Sequence, residues 1–241
     1  MLRPVWAFPL VAALIALWFS VLLLRAYLDR RRPAELVWAL ALLMYAGASI
    51  ALLLGVLDGW SPAEYRVYWL FGAVLNVPYL AMGELYLLVR DRRVRTVVLV
   101  LLLFATAFAV ARVRTATLDA AALGVDLPRG SHVWADDPVA LDLARFYAFP
   151  AYFFLLGGTL WSAWRMRGHP ELRDRFLGTL AIAIGATIVA AGSAFAATGN
   201  AVGFSLTLTA GIAVMFWGFL RAARPSGAPE RPDPAAVRFP P

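Results

Sequence analysis

The chain contains no cysteine and no lysine, and only two histidines, His132 and His169. Without cysteine there are no disulfides, thiolate nucleophiles, iron–sulfur clusters or zinc–thiolate sites. Without lysine a retinal-type Schiff base has no amine to form on. Both histidines fall outside the apolar runs, so a membrane cytochrome would lack its axial ligands. The expected cofactor complement is therefore none. Catalytic motifs are missing too: there is no Gly-rich phosphate loop, no His-Glu-x-x-His and no nucleophile elbow. Charge is sparse as well, at 15% of residues, where soluble domains carry about 25%.

What is present is apolar. Hydrophobic residues make up 62% of the 241, more surface than a water-soluble fold of this length can hide. The lipid bilayer is the expected solvent and partner. Spanning ~30 Å of hydrocarbon takes about 20 mostly apolar residues, and seven runs meet or approach that: 5–24, 36–57, 67–89, 96–111, 146–164, 176–197 and 201–220. The fourth is short, and could thin the bilayer locally or extend at its ends by snorkelling Arg95 and Arg112. The first is too long for a signal-peptide core and is followed by Arg25 and Arg30 to Arg32, so it reads as a retained helix. The expected fold is all-α: a polytopic seven-transmembrane-helix bundle over 1–221, an outer loop at 112–145 and a disordered Pro-rich cytoplasmic tail at 222–241.

All 22 basic residues are arginine, and the net charge is +7. They do not read as a nucleic-acid footprint, because they alternate in number along the connections. Sixteen follow the odd-numbered runs, in clusters such as Arg90, Arg92, Arg93 and Arg95; six lie on the other side, namely Arg3, Arg66, Arg112, Arg114, Arg129 and Arg145. The positive-inside rule places the rich side in the cytoplasm, the N-terminus outside and the C-terminus inside. The Ala-, Leu- and Arg-rich composition is that of a high-GC bacterium, giving an expected place as a multi-pass protein of the bacterial inner membrane.

Glu84 is the one acidic residue inside an apolar run, about 9 Å inward from Arg90 at 1.5 Å per residue. An ionisable group there marks a binding function by default; the alternative is an ion pair with Arg25 or Arg165. The same helix holds Asn76, Tyr79, Gly83 and Tyr86, which follow the three-four-three spacing of one face, and Pro78 should kink that helix. Tyr147, Pro150, Tyr152 and Gly157–Gly158 mark the fifth run. Two kinked helices could frame an outward-facing pocket, so Glu84, Asn76, Tyr79 and Tyr147 form the candidate ligand site. Gly178, Gly185, Gly192 and Gly199 recur every seven residues and predict a helix-packing seam. In the outer loop, His132 with Asp136 and Asp137 makes a poor metal set; Asp137–Pro138 reads better as a helix start. Trp134 is expected at the membrane interface.

The segment from Trp69-Leu-Phe-Gly72 through Pro78, then Tyr86-Leu-Leu and an arginine cluster, resembles the third helix of the seven-helix membrane sensor region of bacterial histidine kinases. The likeness covers the second and third helices, about a fifth of the chain, and this chain shows no kinase domain after the seventh run. The resemblance implies a sensor bundle working through a partner membrane protein. The leading expectation is accordingly a non-enzymatic sensor or accessory bundle that binds a lipophilic small molecule or such a partner. A small transporter or channel using Glu84 and Asn76, and an intramembrane lipid-modifying enzyme, are the alternatives.

Overall fold

In a solvent that offers no hydrogen bonds, an apolar run has to satisfy its backbone internally, and a helix does so within one segment. The computed structural model describes residues 6–223, and seven helices there are long and apolar enough to cross a membrane. They are α1 (Ala7–Arg30), α2 (Pro33–Asp58), α3 (Pro62–Leu88), α4 (Arg92–Thr115), α5 (Pro138–Met166), α6 (Arg173–Thr198) and α7 (Ala201–Ala222). No strand occurs among the described residues. The Pro-rich tail lies, beyond Ala223, outside the described residues.

Helix starts follow local chemistry. Ser61 and Glu64 form a reciprocal capping box ahead of α3, with Pro62 in the first turn. Asp137 accepts a hydrogen bond from the Ala140 N–H and is followed by Pro138, which opens α5 eight residues before the apolar run at 146 begins. Asn200 caps α7 through the Gly203 N–H at 2.9 Å.

The short fourth run lies within a longer helix, extended at both ends past Arg95 and Arg112. α4 has 24 residues, because Arg92 to Arg95 and Arg112 to Arg114 belong to the helix itself. Long arginine side chains can lie along an apolar stem and carry their charge toward water, so charge near a helix end does not terminate it. The connection expected at 112–145 shrinks to 116–137 as a result.

Within α3 the turns widen into a π-helical segment, Trp69–Leu75, just before Pro78. Proline cannot donate to the carbonyl four residues back, and its ring crowds that group. The widened turns stand where that conflict falls, one turn ahead of Pro78.

α6 and α7 make the closest pair, α1 packs on α2 and α7, and α3 touches α2, α4 and α5. α4 is peripheral, with only Ala109 and Val113 buried. Lipid supplies no hydrophobic drive between helices, so close backbone approach and hydrogen bonds carry the association. Side-chain donors tie helices together through backbone carbonyls: Ser20 to Ala39 at 2.9 Å, Tyr45 to Leu208 at 2.8 Å and Thr209 to Phe8 at 2.8 Å.

The end opposite the arginine-rich loops is closed by the 116–137 segment. Trp134, expected at an interface, is instead fully buried, 5.9 Å from Tyr65 and 6.1 Å from Trp69 between ring centres. The segment folds back over the bundle, which the local sequence of a loop cannot reveal. Trp60 donates to the Asp126 carbonyl at 3.1 Å, holding this cover in place, and Trp69 donates to the Ala140 carbonyl in the first turn of α5 at 3.0 Å.

Candidate functional site

A cavity of about 110 Å³ lies in the half of the bundle nearer the arginine-rich loops. Every long helix except α4 contributes to its wall, and Glu84 is its only ionisable group. Apolar side chains, among them Phe19, Leu42, Leu155, Met215 and Phe219, make up most of the surface. Thr159, Ser162 and Thr179 add hydroxyls.

Two glycines make room for this arrangement. A Cβ on Gly158 of α5 would stand 2.8 Å from Glu84 Cγ and 2.6 Å from Leu88 Cδ1. A Cβ on Gly83 would collide with the Trp38 indole. That indole lines the cavity and donates to the Leu80 carbonyl at 3.0 Å, one helical turn before Glu84. The glycines thus let α5 and the α2 tryptophan close around the carboxyl from two sides.

Glu84 is 5% exposed. The ion pair anticipated with Arg25 or Arg165 does not form: no arginine lies within 4 Å of the carboxyl among the described residues. Its one hydrogen bond is from the Ser162 hydroxyl to Oε1 at 3.5 Å, the long limit of such a contact. A buried carboxyl is costly unless it is paired or hydrogen-bonded. One so placed can hold a proton or accept a donor from a molecule in the cavity.

The other three candidate ligand residues point elsewhere. Asn76 is buried and donates from Nδ2 to the Ala41 carbonyl at 2.7 Å. The Tyr79 and Thr106 hydroxyls are 3.2 Å apart, joining α3 to α4. Tyr147 donates to the Ala105 carbonyl at 3.1 Å, joining α5 to α4. None of the three lines the cavity, and the pocket does not face outward between Pro78 and Pro150 as the proline pattern implied. Residues that do line it, Leu155, Thr159 and Ser162, follow the four-then-three spacing of one α5 face. Thr159 and Ser162, the hydroxyls of that face, are the signal the sequence carries for this wall.

Of the recurring glycines, Gly178 and Gly185 of α6 lie against the α7 backbone at Gly218 and Gly211, and Gly192 lies against Thr207. Gly199 stands apart from this seam. It ends α6 in the left-handed region with φ 74°, a conformation glycine adopts without steric cost.

Asp137 caps α5 and pairs with Arg112 at 2.9 Å, so it is engaged structurally. Among the described residues no group of three or more His, Asp and Glu side chains is placed to hold a metal ion. No family model, curated protein or solved structure matches the chain.

Proposed function

We propose that the chain is a multi-pass membrane protein whose seven-helix bundle binds a lipophilic small molecule in the Glu84 cavity, acting as a non-enzymatic sensor or accessory bundle. The observation that carries this reading is a 5%-exposed carboxyl with no cationic partner among the described residues, set in an otherwise apolar cavity. Ligand sites are concave, mostly apolar and carry a few placed polar groups. A purely structural carboxyl in lipid would be expected to meet a cation or several donors.

The placement of the arginines supports an orientation with the N-terminus outside and the C-terminus in the cytoplasm. On the arginine-poor side Arg66 donates to the Val113 and Ala116 carbonyls, both at 3.0 Å, closing the end of α4. Arg129 reaches the Thr198 carbonyl at 2.7 Å, Arg112 pairs with Asp137, and Arg145 pairs with Asp142 at 3.0 Å. Those charges serve as internal ties. On the rich side Arg90, Arg92, Arg93, Arg165, Arg167, Arg173 and Arg175 have no carboxylate partner among the described residues. The count of arginines, sixteen on one side against six on the other, is what the positive-inside rule reads, and it supports this orientation.

Both rival readings are weaker. A polar path through Glu84 and Asn76 would need the two side chains in one space, whereas Asn76 is spent on Ala41. Acid–base chemistry on lipid needs a second group within hydrogen-bond reach, and Glu84 is the cavity's only ionisable residue. A partner membrane protein, as implied by the likeness to kinase sensor regions, would receive the signal rather than fill the cavity.

Native mass spectrometry of protein extracted gently from membranes tests the reading, with wild type beside Glu84→Gln. A small molecule bound one to one by wild type and lost from the variant is the expected result. Bare protein in both overturns ligand binding and leaves a partner-dependent subunit.

A further inference from the structure

We propose that the ligand is a small lipophilic amine, bound as its ammonium against Glu84; this rests on the reading of the cavity as a ligand site. The argument is an account of donors and acceptors. The Trp38 N–H is committed to the Leu80 carbonyl, the Thr159 hydroxyl to the Leu155 carbonyl at 2.6 Å, and the Ser162 hydroxyl to Glu84 Oε1. Of the polar groups on the wall, only Thr179 keeps a hydroxyl with no partner among the described residues. The cavity therefore offers acceptors and little else. Glu84 Oε2 accepts no hydrogen bond from the described residues, and a carboxylate carries about four lone-pair sites across its two oxygens.

A molecule that complements such a wall has to bring donors and positive charge. An ammonium supplies both, and a charge-assisted bond to a carboxylate is the stronger kind. Phe19 and Phe219, 4.8 Å apart between ring centres, and the Trp38 indole supply aromatic surface to the same wall, which suits a cation. A carboxylate or phosphate ligand is excluded by the same account, since no cation lines the cavity to receive it. That also argues against an aminophospholipid headgroup, whose phosphate would be stranded beside Glu84. Size points the same way. About 110 Å³ is less than the roughly 150 Å³ that holds benzene in an engineered apolar cavity, so the cavity seats the amino end of a small amine and, not being enclosed, leaves the end of its alkyl chain outside.

The full chain in phosphatidylcholine nanodiscs, probed with hexylamine, hexanol and hexanoate against empty nanodiscs, tests this directly. Wild type should bind hexylamine about tenfold or more tightly than either other probe, as loss of one charged hydrogen bond implies. Glu84→Gln should bring hexylamine down to the level of hexanol. If Glu84→Gln does not fold, the wild-type ranking alone decides the matter, hexylamine ahead of both hexanol and hexanoate. Hexanol binding wild type as well as hexylamine would overturn the amine and leave the cavity as a ligand site. Binding of none of the three would overturn both.

Discussion

Gly158 of α5 lies directly against Glu84 of α3, close enough that a Cβ at 158 would sit 2.8 Å from Glu84 Cγ. Its neighbour Gly157 is exposed, with nothing within 4 Å of the same added atom. Two adjacent glycines therefore answer one mutation in opposite ways. Gly158→Ala should overpack the helix contact, costing about 1–3 kcal/mol, and should displace the carboxyl from the cavity. Gly157→Ala should be neutral or stabilising by up to about 1 kcal/mol, since it removes only backbone freedom. Thermal unfolding in one detergent, with hexylamine binding read alongside, separates the pair. Equal behaviour of the two variants would count against the packing described.

The α6–α7 seam makes a second prediction. A Cβ at Gly185 would stand 2.6 Å from the Gly211 carbonyl oxygen and 2.8 Å from the Met215 nitrogen, both backbone atoms that cannot step aside. Gly185→Val should force the helices apart and lower stability by about 1–3 kcal/mol or more. Gly199→Ala should cost about 1–2 kcal/mol for a different reason, the left-handed backbone at 74°. A second change at Gly211 should be non-additive with Gly185→Val, as expected of residues in contact, and additive with Gly199→Ala.

Asp137 does two jobs that substitution can part. Asp137→Ala removes both the α5 cap and the partner of Arg112, whereas Asp137→Asn keeps an oxygen for the Ala140 N–H. The alanine variant should lose about 1–2 kcal/mol, with hydrogen exchange rising in the first turn of α5. The asparagine variant should lose less. Matching losses would assign the whole effect to the ion pair.

The absence of native cysteine allows the orientation to be read with single introduced thiols. Ala120→Cys and His169→Cys stand on exposed positions in opposite sets of connections. In intact cells a membrane-impermeant maleimide should label Ala120→Cys at once and His169→Cys only after permeabilisation. The reverse pattern would invert the topology.

The seven helices were legible because an apolar run of membrane length has one economical backbone solution. Their ends are legible where capping residues stand, as at Asp137, and left open where arginines flank an apolar run, as at Arg95 and Arg112 of α4, where the helix either stops or runs on with its arginines snorkelling. Glu84 could be singled out, since a lone acid among apolar residues is anomalous in any arrangement. Its surroundings could not, because Ser162, Gly158 and Trp38 come from helices whose rotation the sequence leaves open. Asn76, Tyr79 and Tyr147 join it only through the two proline-bearing helices that could frame a pocket, yet each is consumed by a backbone carbonyl or hydroxyl of a neighbouring helix. Trp134 followed the habits of interfacial aromatics until the loop carrying it turned inward.

The widened turns at Trp69–Leu75 divide α3 into two pieces with separate allegiances. Up to their first residue, Tyr65 and Trp69 belong to the aromatic cover; after them, Glu84 belongs to the cavity. Each residue of α-helix turns the chain by about 100°, so the added residue of a π turn resets the phase of everything that follows. Deleting one residue between 69 and 75 would restore a regular helix and leave either the tryptophan or the carboxyl on the wrong face. The irregularity is thus a phase adapter, letting one rod serve two sites whose directions a uniform α-helix could not satisfy together.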